Sequence, residues 1–457
     1  MKKLLLVLVA VIAVVGFASC KKNNVRQGIT DTEILVGNTA ATSGGYAGVG
    51  VPFNLAMNVV FDEYNASHEG RDIRFIHYDD KFEGDTGKTL TTKLVEEDKV
   101  FALVGHFGTN TVNATVDYIQ DKGVPMVYGV TGVNSLYVEK EEGNPLLSIQ
   151  PIYRTEGKLM LARALHEKVY GAAKNEYLDA SKKILVLYTE DDAGQSILVG
   201  IKDEAKSAKV ESRMLYQSFT ATTADQAVTT GLNQGAGTIL LSANQVATAA
   251  LQSLQTAQST LPVFTSYVNS AGVVTPVLTT AVPQLTFDLY ANAWVDIAES
   301  TAAAPTAAQV GAEGLLLGWN DPATGTDIGK LYGLAGLAGF TAEYWDFVKS
   351  VNTSTRVDGA TSARSLWANA YAMAGYVAAK AFVTLLERVN LDKVTWGDFI
   401  KAAESAPVDL PLCGEINWGG GARTGLDTLA LTQFVYSPQV TFTKVREIAG
   451  LADVNKK

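Results

Sequence analysis

Residue types that could do chemistry are present in this chain, but not at the spacings that chemistry needs. Gly87-Lys88-Thr89 matches the tail of a phosphate-cradling P-loop, yet the motif requires glycine five residues before Gly87, where the chain has Phe82. Its plain reading is the start of a helix. Gly45, Gly48 and Gly50 imitate a dinucleotide fingerprint, but from Gly48 and Gly50 the third glycine would fall on Phe53. Gly194-Gln195-Ser196 begins a nucleophile elbow and then continues Ile197-Leu198. His68, His77, His106 and His166 are scattered and form no metal-ligand spacing. The acid pairs Asp79-Asp80 and Asp191-Asp192 each follow an apolar run, a place where carboxylates either cap a helix or meet a ligand. No nucleophile is set beside a base, and no metal or cofactor is nominated. The chain reads as one that binds without reacting.

The stretch Lys99 to Gly132 would hold the bound molecule. Phe101 to Val104 is a short buried strand ending at Gly105, and His106 to Asn110 is a turn. Thr111 to Asp121 is a helix with Val112, Val116 and Ile119 on one face, stopped by Lys122-Gly123. Val124 to Val127 is a second strand, ending at Gly129. This is a βαβ unit, and in open α/β sheets ligands sit outside the carboxyl ends of the strands. Gly105–Thr111 and Gly129–Gly132 would lie there.

The same rhythm runs along the chain. Strands at 34–36 and 72–78 alternate with a glycine-rich loop at 42–50 and helices at 55–64 and 86–97. After an expected crossover at 148–153 comes a helix at 158–170. Strands at 183–188, 210–216, 238–241 and 262–265 then alternate with helices at 197–207, 225–232 and 247–258. A strand begins at 285–290, and 302–318 reads as a surface excursion. Helices at 341–351 and 362–389 precede extended segments at 409–418 and 431–436. Two βα arrays predict two doubly wound parallel-sheet lobes.

Lys2-Lys3 followed by Leu4 to Gly16 is a basic, then apolar, export signal, too short to span a membrane. Phe17-Ala18-Ser19-Cys20 looks like a bacterial lipobox, with phenylalanine where leucine is usual. Residues 1–19 would be removed, Cys20 lipidated, and residues 20–27 left as a tether. The other reading is an ordinary signal peptide cut near Ala18 or Ser19. Beyond Cys20 only Cys413 remains, which predicts a free buried thiol and no disulfide framework. Losing Lys2 and Lys3 moves the formal charge from −10 to −12, which argues against nucleic acid and anionic lipid surfaces as partners.

Several motifs together resemble the leucine/isoleucine/valine-binding proteins, type I periplasmic solute-binding proteins of ABC importers. They are Gly28 to Ile34, Thr42-Ser43-Gly44, Tyr78-Asp79-Asp80, Glu97 to Gly105, Lys122 to Pro125 and, more distantly, Gly414 to Trp418. The resemblance implies two lobes joined by three crossovers, near 148–151, 282–285 and 412–415. Lobe 1 would be 28–149 with 285–412, and lobe 2 would be 150–284 with 413–457. It also implies a ligand carboxylate at Thr109 and Asn110, where a helix N-terminus can hold an anion without a basic side chain. Val130 and Gly132 fall on a backbone-acceptor site and a threonine, whose side chain Thr131 between them supplies only by a one-residue shift; a first-lobe aromatic falls near Val49, with Tyr46 as its replacement. Tyr267 falls on the acid that meets the ligand amine, with Asn244 on the neighbouring loop. Either Asp191 or Asp192 then supplies that charge, or the ligand has no amine. The sequence reading favours the second. The expected partners are a small amino acid or organic acid, an ABC permease and, through Cys20, the membrane. A ligand-sensing receptor domain of the same fold stands as the alternative. A surface hydrolase would need the nucleophile–base pair that the sequence does not show.

Overall fold

The computed structural model describes residues 24–269, 271–295, 342–357, 366, 369–435 and 441–456. The signal segment, Cys20 and the excursion at 302–318 lie outside the described residues. The first sheet holds β1 (Glu33–Ala40), β2 (Asp72–Asp79), β3 (Ala102–Phe107), β4 (Met126–Val130) and β5 (Leu146–Leu147). All its pairings are parallel, in the order β2-β1-β3-β4-β5. β3 is buried along its whole length, as a central parallel strand covered on both faces must be. Helices α1 (Ala47–Ser67), α2 (Gly84–Glu96) and α3 (Thr109–Lys122) connect these strands. Gly375 in α9 (Ala370–Leu386) lets that helix lie directly on α1, since a Cβ there would stand 2.1 Å from the Phe53 carbonyl oxygen.

The second sheet repeats the plan. β6 (Lys183–Tyr188), β7 (Met214–Ser218), β8 (Ala236–Ser242), β9 (Val263–Thr265) and β10 (Leu289–Ala293) pair in parallel, in the order β7-β6-β8-β9-β10. The long hairpin of β13 (Thr428–Val435) and β14 (Thr441–Gly450) extends it antiparallel beyond β10. Helices α4 (Tyr153–His166), α5 (Asp192–Ser207), α6 (Ala224–Asn233) and α7 (Ala247–Thr256) cover its faces. In α8 (Ala342–Thr353), α9 and α10 (Trp396–Ser405), Phe347, Phe382 and Phe399 join the first core, as do residues of β11 (Val408–Leu410) and β12 (Gly414–Ile416).

Several boundaries differ from the sequence reading. β3 continues through His106 to Phe107, and α3 starts at Thr109, so the expected turn shrinks to Gly108. His106 is therefore a core residue, fully buried beside the Thr115 hydroxyl at 3.0 Å, and burial pushes its pKa down to about 3. α5 begins five residues earlier than the apolar periodicity suggests, because Asp191 caps it. The strand expected at 210–216 forms at Met214–Ser218, after a short turn. Residues 25–27 are no free tether: the Val25 carbonyl accepts from Trp396 N at 2.9 Å, and Gln27 Nε2 donates to the Val95 and Val100 carbonyls.

Two crossovers also move. β10 pairs with β9 and β13, so residues 289–293, expected in lobe 1, stand in the second sheet. Cys413, Ile416 and Trp418, expected in lobe 2, pack in the first core, and the chain returns to the second sheet only at β13. That return strand runs beside the first crossover, where Trp418 Nε1 donates to the Ser148 carbonyl at 2.9 Å and Leu426 N to the Ile149 carbonyl at 2.7 Å. Cys413 is a buried free thiol.

Gly425 lies where the two crossovers touch, at φ +69° and with a Cβ position 2.0 Å from the Gln150 carbonyl oxygen. Gly420 has a similar φ of +67° but open space around it. Gly420→Ala should cost only the left-handed backbone, about 1–2 kcal/mol. Gly425→Ala adds an overlap with fixed backbone and should cost about 2–5 kcal/mol in total. Urea unfolding of both variants checks the ranking, and equal losses would contradict the packing argument.

Candidate ligand-binding cleft

Each sheet has one point where strand order reverses, between β1 and β3 in the first and between β6 and β8 in the second. Ligands of doubly wound sheets bind at that crevice. Here the two crevices meet. The loops after β1, β3, β6 and β8 supply Tyr46, Thr109, Asp191 and Asn244 to one cavity of about 110 Å³ between the lobes. The lobes also touch at its rim, where Asn113 Nδ2 donates to Asp192 Oδ2 at 2.8 Å and Asn134 N to Ser196 Oγ at 3.2 Å.

α3 opens onto this cavity without a side-chain cap. Gly108 is its N-cap at φ 101°, and the first intrahelical bond runs from Val112 N to the Gly108 carbonyl. The N–H groups of Thr109, Asn110 and Thr111 precede that bond and carry the positive end of the helix dipole. Gly108 is required here, because a Cβ would stand 2.9 Å from the Phe82 ring. Beside the helix start lies a cluster of hydroxyls. Thr109 Oγ1 and Thr131 Oγ1 are 2.9 Å apart, the Tyr153 phenol lies close enough for both hydroxyls to act on its titration, and Asn244 Nδ2 donates to that phenol at 3.2 Å. Burial raises the Tyr153 pKa more than these hydroxyls lower it, so the phenol stays neutral and able to donate. Asn244 Oδ1 is buried and has no partner among the described residues.

Much of the remaining wall is aromatic, with Asp191, Asp192, Gln245 and Asn292 among the rings. Tyr46 stacks on Phe82 with ring centroids 4.0 Å apart. Lys81 and Phe82 adopt left-handed backbone at φ 56° and 68°, a strained pair that the acids before them hold in place. Asp79 accepts from Lys81 N at 3.1 Å and Thr42 N at 3.0 Å, and Asp80 accepts from Phe82 N at 2.8 Å. Burial alone would raise the Asp79 carboxyl, but its bonds from Ser43, Lys81 and Thr42 bring it below the ordinary value. For Asp80 burial outweighs the bonds, and the pKa rises. The first acid pair is thus structural. On the opposite side Tyr128 Oη donates to Gln150 Oε1 at 2.5 Å, and Gln150 Nε2 donates to Tyr267 Oη at 2.6 Å. Tyr267 Oη in turn donates to the Pro151 carbonyl at 3.0 Å. Trp294 meets Tyr128 edge-on at 5.7 Å, and Tyr371 donates to the Val268 carbonyl.

Of the residues expected at the site, Tyr46, Val49, Thr109, Asn110, Val130, Asp191, Asp192, Asn244 and Tyr267 line this cavity. Thr131 and Gly132 lie behind it. Thr131 is 2% exposed beneath Thr109, and the Gly132 carbonyl already accepts from Tyr153 N at 2.6 Å. The Val130 carbonyl is likewise used, by Gly108 N at 3.3 Å. Asp191 Oδ1 accepts from Gly194 N at 2.8 Å as a helix cap. Sequence reasoning missed Phe82, Tyr128, Gln150, Tyr153, Trp294 and Tyr371. Gln150 and Tyr153 carried a signal, their place at the expected first crossover.

Residues 33–282 match a family model described as periplasmic binding protein, and the chain belongs to that family. Its fold is that of the type I binding proteins, as the resemblance to the leucine/isoleucine/valine-binding proteins implied. A similar solved structure is the fatty acid ABC transporter substrate-binding protein from Thermomonospora curvata, with 16% identity, TM-score 0.61 and coverage of 94% of this chain and 95% of that one. The branched-chain amino acid transporter substrate-binding protein of Streptococcus pneumoniae, in complex with isoleucine, matches with 14% identity, TM-score 0.60 and coverage of 91% and 100%. A solute-binding protein of an R. palustris ABC transporter, in complex with benzoate, matches with 14% identity, TM-score 0.58 and coverage of 92% and 98%. A search of curated proteins found no match.

The rim bond from Asn113 to Asp192 joins the lobes without reaching across the cavity. Asp192→Ala should remove about 1 kcal/mol of closed-state preference, a roughly fivefold gain in open molecules. Small-angle scattering of the ligand-free protein should then show a larger radius of gyration. An unchanged radius would mean that the rim bond has no part in closure.

Proposed function

We propose that this chain is an extracytoplasmic lipoprotein, anchored through Cys20, that captures a small amine-free carboxylate between its lobes and delivers it to an ABC permease. The observation that carries this reading is the uncapped start of α3, with its hydroxyl cluster, opening into a cavity that also presents the rings of Tyr46, Phe82, Tyr128, Tyr267, Trp294 and Tyr371. Helix N–H groups and neutral hydroxyls suit a carboxylate, and ring faces suit an apolar body. Tyr267 stands where the resemblance places the acid for an amine, and its phenol is committed to Pro151 and Gln150. An ammonium left without a carboxylate in a closed cleft would cost several kcal/mol. Asp191 and Asp192 border the cavity, but one caps its own helix and the other bonds Asn113 at the rim.

The similar structures hold ligands of this size range, with benzoate in one and isoleucine in another. No step of chemistry on the solute is assigned to the chain: it holds the carboxylate, excludes water and releases the solute when the lobes part. Calorimetry of the mature protein with benzoate, octanoate and isoleucine tests the class. Benzoate or octanoate should bind, and Thr109→Val should weaken binding about tenfold, near 1.4 kcal/mol. No binding in the panel, or a Thr109→Val protein that binds as before, would refute the reading. Mass spectrometry of the membrane fraction tests the anchor, and Cys20→Ala should abolish the lipidated species.

A further inference from the structure

Glu156, in the first turn of α4, is fully buried and does not line the cavity, yet it bonds two residues that do. Its Oε1 accepts from Tyr267 N at 2.6 Å and from Asn292 Nδ2 at 3.4 Å, and its Oε2 meets Ser266 Oγ at 2.9 Å. We infer that Glu156 is the positioning residue of the second-lobe wall, and that its single proton governs whether Tyr267 and Asn292 stand where a ligand needs them. The inference rests on the cavity being the ligand site.

The chemistry follows from the bonded groups, which are a backbone N–H, an amide and a hydroxyl, with no cation among them. A carboxylate so placed has lost water and gained no counter-charge. Oε1 already faces two N–H donors, so Oε2 is the oxygen that carries the proton. There it can donate to Ser266 Oγ, a hydroxyl free to turn and accept. Ser266 Oγ also accepts from Val268 N at 3.2 Å, so the proton ties together the loop from 266 to 268. The titratable groups facing Glu156 are the phenols of Tyr153, on its own helix, and Tyr267, on the loop. β10 presents the amide of Asn292, and α5 packs against Gly157 through Ile197 and Ile201. Both phenols are raised by burial, which leaves Glu156 as the group of this cluster that changes charge near neutrality. Burial, opposed by its three hydrogen bonds, pushes the Glu156 pKa from 4.5 up to about 8.

The sign of the linkage is fixed by that direction. The folded chain keeps a proton that the unfolded chain releases, so Glu156 makes stability fall as pH rises from 4.5 to about 8, and adds no further slope above that. Nuclear magnetic resonance of the mature protein with carbon-13 glutamate carboxyls and nitrogen-15 amides reads both halves of the inference. One carboxyl should titrate near pH 8, vanish in Glu156→Gln, and carry the Tyr267 amide signal with it. Benzoate affinity should weaken about tenfold from pH 6.5 to pH 9 in the wild type and stay level in Glu156→Gln. If Glu156 titrates with the other glutamates, if the Tyr267 amide ignores it, or if both proteins share one pH profile, the inference is overturned. Should benzoate bind at neither pH, the ligand class fails, while the carboxyl and amide titrations of the wild type still decide the role of Glu156.

Discussion

Among the described residues no carbonyl accepts from the backbone N–H groups of Thr109, Asn110 and Thr111 at the start of α3, and much of the cleft is arranged around them. Gly108 turns the chain so that the helix can begin at Thr109, and Phe82 closes against that glycine. Phe82 reaches its position through two left-handed residues, which Asp79 and Asp80 hold from below. Beneath them Asn38, Asn54 and His77 form a buried polar network that ends at the Thr42 hydroxyl. Burial lowers the His77 pKa, which keeps that network neutral near physiological pH. The start of α3 thus presents neutral donors on a partly strained base.

The second lobe answers with the same topology and different chemistry. Its switch-point loops bring Asp191 and Asn244, and its wall is fixed by Gln150 within the cavity and from behind by Glu156. Tyr153 joins the two halves. It belongs to α4, yet its hydroxyl sits among Thr109 and Thr131 of the first lobe, and its backbone N–H bonds the Gly132 carbonyl. The two lobes thus share one polar cluster.

The alternation of strands and helices was legible because buried parallel strands read as short apolar runs, and each glycine-ended run marks a loop on the ligand side. Element starts were less legible where polar residues begin a helix, as at Thr109 and Asp192, since periodicity sees only the apolar face. The crossovers after β10 and before β13 were misplaced because strand pairing decides which sheet a segment joins, and local sequence does not record its partner. The aromatic wall escaped for the same reason. Tyr128, Trp294 and Tyr371 come from distant parts of the chain and meet only in the folded protein. The loops at 105–111 and 129–132, by contrast, were legible from their position at strand ends, and Thr109, Asn110 and Val130 from them line the cavity.

On the proposed reading the cleft takes a carboxylate and has no place for an amine. Leucine and 4-methylpentanoate differ by that amine alone, so calorimetry of the mature protein with the pair isolates it. 4-Methylpentanoate should bind at least about tenfold tighter, the several kcal/mol of an unpaired ammonium being partly relieved by water. Tighter binding of leucine, lost again in Asp191→Ala, would contradict it.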